Sequence, residues 1–450
     1  MNKLRFLALA ALVISAFGCE SVVDDLNVNP NEFTEVPATL IFQHAALNTA
    51  AVAEAEPARI AGMWSDQFAG TDRQYITQDR YEVSAATFDE VWSDLFQAGI
   101  SQSQLAEQAA QAEGQDNLAN FSRILQGYYA AEASLIFGDV PFSEVNNLEI
   151  SDPRYEDQAS VLNAGIGLLE AGISGSGSDV GVSAGNSIFN SSSTWAEFAQ
   201  ALRARYLLAQ SDYDGALSAA RAAGFEDASS SVDIIHTTTN FSENLFFQFE
   251  AEQRSDYLSF GNEGSVQSTL FNILQDTTAM SRADDKTDDS ARFAYYSSGA
   301  QAGLYKLNVN PGGFFAADMD FPVIGFPEVQ LIIAECAART GDDEAAIAAL
   351  NAARNYWDDL TGTDSYQDYD EDDFDDDDAL LDAILTEKYV SVFGLPTFYD
   401  VIRTNNRLGA DMDTRDTPAQ RFLYPSTEIS SNSNFPGVAD LGTTNAVLNN

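Results

Sequence analysis

The chain has 450 residues and very few cysteines, histidines or lysines. Its two cysteines, Cys19 and Cys336, give no disulfide framework, so stability has to come from a packed core. Two histidines, His44 and His236, with one cysteine left over are too few for a typical zinc site. Only Lys3, Lys286, Lys306 and Lys388 are lysines, and all basic residues together number 22 against 69 acidic ones. The resulting net charge of −47 leaves no basic patch to neutralise phosphates, which excludes nucleic acid as a partner. Beyond the first twenty residues no apolar run approaches the roughly 20 residues needed to cross a bilayer.

High charge alone would permit disorder, but 45% hydrophobic and 11% aromatic content argues for a globular chain. A chain of this length buries a large core without difficulty. Self-repulsion opposes compactness, and salt relieves it, with the Debye length falling to about 3 Å at 1 M. A lysine-poor, acid-rich globular chain therefore reads as adapted to a salty medium.

The first eighteen residues follow the plan of a secretory signal. Lys3 and Arg5 precede an apolar run from Phe6 to Phe17, and small residues lead to Cys19. Ala16-Phe17-Gly18-Cys19 resembles the box at which bacterial lipoproteins are cut and acylated on cysteine. It departs from that box at Ala16 and Phe17. The expectation is a signal over 1–18, lipidation at Cys19, and a tether over 19–37, with anchoring by acyl chains alone. Acidic Glu20, Asp24 and Asp25 resemble the signal that sends such lipoproteins to the outer surface. Cys336 lies at helical spacing with Ile332, Ile333 and Ala337 and reads as a buried small hydrophobe.

From residue 38 onward apolar residues recur at steps of three and four. The spacing predicts helices over 38–55, 88–112, 118–137, 157–172, 194–209, 213–222, 328–339, 343–357 and 376–393. Residues 61–84 read as an irregular, aromatic and polar loop, and 172–187 as a Gly/Ser-rich loop. Residues 230–325 are rich in Thr, Ser, Phe and Gly with few clear helices. The pattern is a mostly α chain: a tetratricopeptide-like scaffold of helical pairs carrying an irregular, loop-rich ligand-binding face, in one domain over 38–450 with the insert at about 230–325. The 34-residue consensus is not visible, so the repeats are degenerate.

Enzyme motifs fail on inspection. Gly181-Val-Ser183-Ala-Gly185 matches a nucleophile elbow, but it lacks the flanking strand and helix, and no histidine is tied to Ser183. The acidic stretch 364–378 offers Asp373 and Ala379 where a calcium loop starting at Asp368 needs Gly and Glu. Among 69 acids no single pair stands out for glycoside hydrolysis. The reading is no catalytic residue, no metal and no cofactor. Trp64, Tyr75 and Tyr81 instead share one polar loop without helical spacing. Such aromatic faces can stack on sugar rings or peptide side chains, with Gln67 and Asp72 hydrogen-bonding around them. The alternative role for these residues is to plug the loop onto the helices. Trp92, Trp195 and Trp357 read as core, and Tyr295 and Tyr296 stay open.

In order along the chain, "LNVNPNEFTEVPA", "FGDVPFSEV", "WAEFAQALRARYLL", "DDSARFAYY", "FPEVQLIIAECAARTGD", "ILTEKYVSVFGLPTFYDVIRTN" and "RFLYPSTEISSNSNFP" resemble the motif series of the SusD/RagB outer-membrane nutrient-binding lipoproteins. "DDSARFAYY" departs from the family's Asp-Pro-Arg-Leu pattern at Ser290-Ala291. The resemblance implies a helical scaffold on the outer leaflet of the outer membrane. It implies capture of oligosaccharides or, in some members, peptides, without catalysis, and delivery to a SusC-like TonB-dependent transporter. No ligand residue transfers by motif. The competing expectations are a helical-repeat adaptor with no small ligand, and a surface glycoside hydrolase.

Overall fold

The computed structural model describes residues 36–181, 188–265, 267–275, 278–437 and 439–449. The expected signal, Cys19, the tether up to residue 35, and Ser183 lie outside the described residues.

The chain is mostly α. Its scaffold is built from α1 (Ala38–Leu47), α2 (Gln102–Ala112), α3 (Asp116–Phe137), α4 (Gln158–Ile173), α5 (Trp195–Ala209), α6 (Tyr213–Ala223), α7 (Phe326–Thr340), α8 (Asp343–Thr361), α9 (Asp377–Ser391) and α10 (Leu395–Arg403). The abundant acid sets several helix starts. Asp157, Asp212, Asp342 and Asp376 each accept a backbone N–H from the first turn of α4, α6, α8 and α9. α5 opens with a reciprocal capping box. Thr194 N donates to Glu197 Oε2 at 2.7 Å, and Thr194 Oγ1 accepts from Glu197 N at 3.3 Å. Gly224 and Gly341 end α6 and α7 in the left-handed conformation, at φ 64° and 80°.

Neighbouring helices pack in series, α1 on α2 through to α6 on α7, and α7 on both α8 and α9. Each element buries its apolar face on the next, which is how helical-pair repeats share one core. α3 and α4 approach closely because glycines face each other. A Cβ on Gly127 would lie 2.7 Å from the Gly165 carbonyl oxygen. No helix among the described residues is long and apolar enough to cross a membrane.

Several boundaries differ from the periodicity. The helix expected over 38–55 breaks at Asn48, and a second short helix runs Thr49–Ala53. The expected loop 61–84 contains helical turns, with Glu56–Trp64 started by Pro57 and a further helix at Arg73–Asp79. A π-helical stretch, Asp94–Ser101, interrupts the helix leading into α2. α8 runs on to Thr361, and Pro396 at the start of α10 opens a helix that the pattern, which ended at 393, did not predict. Cys336 is buried, and burial pushes its thiol up to about 12, so it is inert.

The segment 230–325 is irregular as expected. It contributes β2 (Val232–Ile234) and β3 (Phe321–Ile324) to an antiparallel sheet ordered β1-β2-β3, where β1 is Phe189–Asn190. Its aromatics join the helices in one core: Phe315 and Tyr296 both meet Phe393 edge-on, at 5.7 and 5.0 Å, and Phe68 stacks on that same ring.

Buried ion pairs tie distant segments together. Glu335 on α7 receives Arg403 Nη1 from α10 at 2.6 Å and Arg339 Nε at 2.8 Å, with Lys388 of α9 nearby. Burial alone would raise its pKa, but Arg403, Lys388 and Arg339 outweigh that and hold it down to about 2. Its unfolded pKa is near 4.5. The resulting stability is fully present above about pH 4.5 and is lost as pH falls towards 2. Glu335→Gln should cost about 3–5 kcal/mol at pH 7, because it leaves buried cations uncompensated. Chemical denaturation should show this cost, with the gap to wild type narrowing below about pH 4.5.

Candidate functional site

The sheet, the insert and the scaffold helices leave a cavity of about 250 Å³ between them. That is below the roughly 300–1,000 Å³ common for ligand pockets, and so fits one ring or one side-chain-sized group. Its walls are aromatic: Tyr295 and Phe314 from the insert, Tyr356 and Trp357 from α8, Phe321 from β3, and Phe393 after α9. Leu360, 43% exposed, and exposed Ala228 flank it on the solvent side.

At the scaffold end Arg205 of α5 is clamped. Its Nε and Nη2 donate to Glu328 at 2.6 and 2.7 Å, and Nη2 also donates to the Val323 carbonyl at 2.7 Å. Burial opposes the guanidinium charge, but Glu328 more than restores it, and the Arg205 pKa moves up. Glu132 of α3 lies 3.7 Å from Arg205 and accepts hydroxyls from Tyr206 and Tyr399. Burial raises the Glu132 pKa despite these partners.

Asp233 behaves differently. On β2 the residues alternate, with Val232 and Ile234 buried and Asp233 on the opposite face, where it lines the cavity. A register irregularity between Val232 and Asp233 bends the pairing with β3 there. Burial, reinforced by the charge of Asp320, pushes its carboxyl up to about 8. Asp320 also lines the cavity, and it accepts the backbone N–H of His236 at 2.9 Å and Asn190 Nδ2 at 3.1 Å. The His236 ring points elsewhere, with Nε2 lying 2.8 Å from buried Glu54.

The residues expected from the loop lie in packed surroundings. Trp64 is fully buried, donates from Nε1 to the Gln78 carbonyl at 2.8 Å, and is enclosed by Tyr81, Phe88, Phe398 and Phe422. Gln67 is also fully buried. Its Nε2 donates to the Tyr389 and Val392 carbonyls at 3.0 and 2.6 Å, and its Oε1 accepts from Gly394 N at 3.1 Å. Tyr75 is buried against Phe249 and Tyr257, and its hydroxyl accepts from Arg59 Nε at 2.8 Å. Tyr81 is half-buried at φ 63°, beneath the Arg415 guanidinium. Asp72 is half-exposed beside Arg73. The structure therefore gathers Trp64 and Tyr81 into one packed cluster, puts Tyr75 in a neighbouring one, and leaves Asp72 at the surface. Gln67 holds the turn 392–394, whose Phe393 walls the cavity, and Phe68 stacks on that same ring.

Sequence reasoning missed Asp233, Arg205 and Tyr356. The available signal for Asp233 was a single acid between β-branched residues in Val232-Asp233-Ile234. Among the described residues no group of three or more His, Cys, Asp or Glu is arranged to hold a metal ion.

A helical-pair scaffold with an aromatic-walled cavity against an irregular insert defines a ligand-binding protein of the repeat class. The comparisons give the family. A family model described as "Starch-binding associating with outer membrane" matches residues 30–397, and the chain belongs to this SusD-like family. A SusD homolog from Bacteroides uniformis superposes with a TM-score of 0.64 at 15% identity, covering 90% of this chain and 98% of the other. A SusD-like protein from Bacteroides thetaiotaomicron gives 0.63 at 14%, covering 88% and 93%. A chitin-binding SusD homolog from Flavobacterium johnsoniae gives 0.60 at 14%, covering 90% and 98%. Comparison with curated proteins finds no match. The SusD/RagB resemblance is thus established, and with it a mostly helical scaffold in a family described as starch-binding and associating with the outer membrane.

Two outcomes follow from this geometry. Trp64→Ala should lower stability by about 3–5 kcal/mol, seen as an earlier thermal transition, whereas a ring that only touched ligand would leave the transition in place. Asp233 holds its proton to about pH 8 when folded but only to about 4 when unfolded, so stability falls as pH rises between those values. Asp233→Asn should therefore be more stable than wild type at pH 9 by about 2 kcal/mol, with no such gain at pH 4, by denaturant titration at both pH values.

Proposed function

We propose that this chain is a cell-surface lipoprotein, held by acyl chains on Cys19, that captures a glycan and passes it without chemical turnover to a SusC-like TonB-dependent transporter. The observation that carries the reading is membership of a family described as starch-binding and associated with the outer membrane. A chitin-binding protein among its structural neighbours supports a saccharide ligand. The aromatic cavity gives one sugar ring a place to stack, with carboxylate acceptors for its hydroxyls.

The loop residues then divide by access. Asp72 and the half-buried Tyr81 can meet ligand from solvent, while Trp64, Gln67 and Tyr75 act from behind by holding the loop and the turn that carries Phe393. The whole of 38–450 works as one binding domain, the insert forming the face.

The test is calorimetric titration of the exported chain carrying Cys19→Ser, in high salt, against a panel of oligosaccharides. Tyr356→Ala, at the half-buried edge of the cavity, should weaken the glycan that binds by about tenfold or more, the size of one lost stacking contact. Binding unaffected by Tyr356→Ala would move the site out of the cavity. Product formation in any titration would overturn the non-catalytic reading.

A further inference from the structure

The charge balance of the cavity points to a narrower ligand class, on the reading that the cavity is a glycan site. Four carboxylates line it, Asp233, Asp320, Glu132 and Glu328, and the only cationic side chain among the lining residues is Arg205. Arg205 is fully committed: Glu328 takes two of its N–H groups, the Val323 carbonyl takes a third contact, and Glu132 lies beside it. Asp320 receives only neutral donors, the His236 backbone N–H and Asn190 Nδ2. The His236 ring is turned away to Glu54. Among the described residues no basic side chain neutralises Asp233, and its charged neighbour is another carboxylate, Asp320. The groups facing it otherwise are the phenols of Tyr295 and Tyr356, on which its charge acts.

We propose that this cavity recognises a cationic amine, so that among glycans the protein selects those with free amino groups, such as glucosamine oligomers. A neutral sugar would find acceptors here and no unpaired basic donor. An ammonium group brings three N–H donors and the missing positive charge. The walls suit it as well: Trp357, Tyr356, Tyr295 and Phe314 offer ring faces, and a cation within about 6 Å of a ring centre is drawn to the π system. Carboxylate and aromatic faces together discriminate an amine from its N-acetyl form, which has lost the charge and all but one of the N–H donors.

The test compares three probes by calorimetry on the exported chain carrying Cys19→Ser: glucosamine tetramer, N-acetylglucosamine tetramer and trilysine. It is run at about 1 M KCl, where screening confines the field of a chain of net charge −47 to about 3 Å. Unliganded Asp233 holds its proton to about pH 8 and gives it up when an ammonium seats beside it, so at neutral pH Asp233→Asn changes that net charge by at most a single unit, and a large effect reports the site rather than the overall field. The wild type should bind glucosamine tetramer at least tenfold more tightly than the N-acetylated tetramer, and Asp233→Asn should bring the ratio close to one. Tyr356→Leu should weaken glucosamine tetramer with the fold intact by thermal melting. Trilysine binding with the same Asp233 dependence, and no saccharide binding, would keep the amine inference while overturning the glycan reading. Equal binding of the two tetramers, a ratio that survives Asp233→Asn, or no binding of either amine probe would overturn the amine inference. In the first two of those cases the glycan reading stands.

Discussion

Most of the architecture depends on where the scarce cations of an acid-rich chain are placed. Arg205, Arg292, Arg354, Lys388 and Arg421 are buried, and a buried charge is tolerated only with a partner. For several of them the partner is a carboxylate far away in sequence, whereas Arg354 is held by carbonyls and the Tyr369 ring, and Arg421 by the Phe422 carbonyl and the Tyr424 ring. Arg205 joins α5 to Glu328 on α7, Arg403 joins α10 to Glu335 on α7, and Arg282 and Arg292 bring the insert to Glu387 on α9. Arg282 also takes Asp289 of its own segment. Apolar packing sets the spacing of the helices, but it is non-directional. The ion pairs fix which face of the insert meets which helix, since removing one partner leaves a bare charge in the core. The exterior is left correspondingly more acidic.

The same placement shapes the cavity. Its scaffold end is a satisfied cluster around Arg205, rigid because each polar atom there answers another. Its sheet end carries Asp233, which no cation among the described residues reaches. Between them the aromatic wall is supported from the opposite side by residues that never see the cavity. Gln67 bonds the 392–394 turn through two backbone groups and the Tyr389 carbonyl at the end of α9 through a third, and Phe68 lies flat on Phe393. Changes in the loop would therefore be felt in the cavity through the position of that one ring. A loop residue can matter for binding without being a contact residue.

The scaffold was legible because helix periodicity is local and repeated. α3, α5 and α7 announce themselves by apolar spacing, and α5 also by the Thr194-x-x-Glu197 box. The family resemblance was legible for a related reason, since its motifs lie mostly on those packed helices. The loop 61–84 was harder. Trp64 falls on the last turn of a nine-residue helix, too short to show a period, and it is enclosed by Phe398 and Phe422, more than 300 residues further along. Composition marks such a residue as aromatic in a polar stretch and cannot say whether its face is covered. Asp233 escaped for the opposite reason. In sequence it is one acid among 69, and it becomes distinctive only when folding removes its solvent and every available cation is found to be engaged elsewhere.

That distinction between one acid and many also separates two kinds of electrostatics in this molecule. The surface acids create a general negative field that draws any cation and that salt at molar strength reduces to contact range. The field inside the cavity is screened far less, because low-dielectric aromatic walls exclude the ions that would do the screening. In a salty medium the general attraction fades and the local one persists. An acidic surface keeps the chain soluble there without masking a charged recognition site. The composition that first reads as adaptation to salt thus leaves room for selective binding by charge, at a carboxyl that the fold encloses beside the aromatic rings of the cavity.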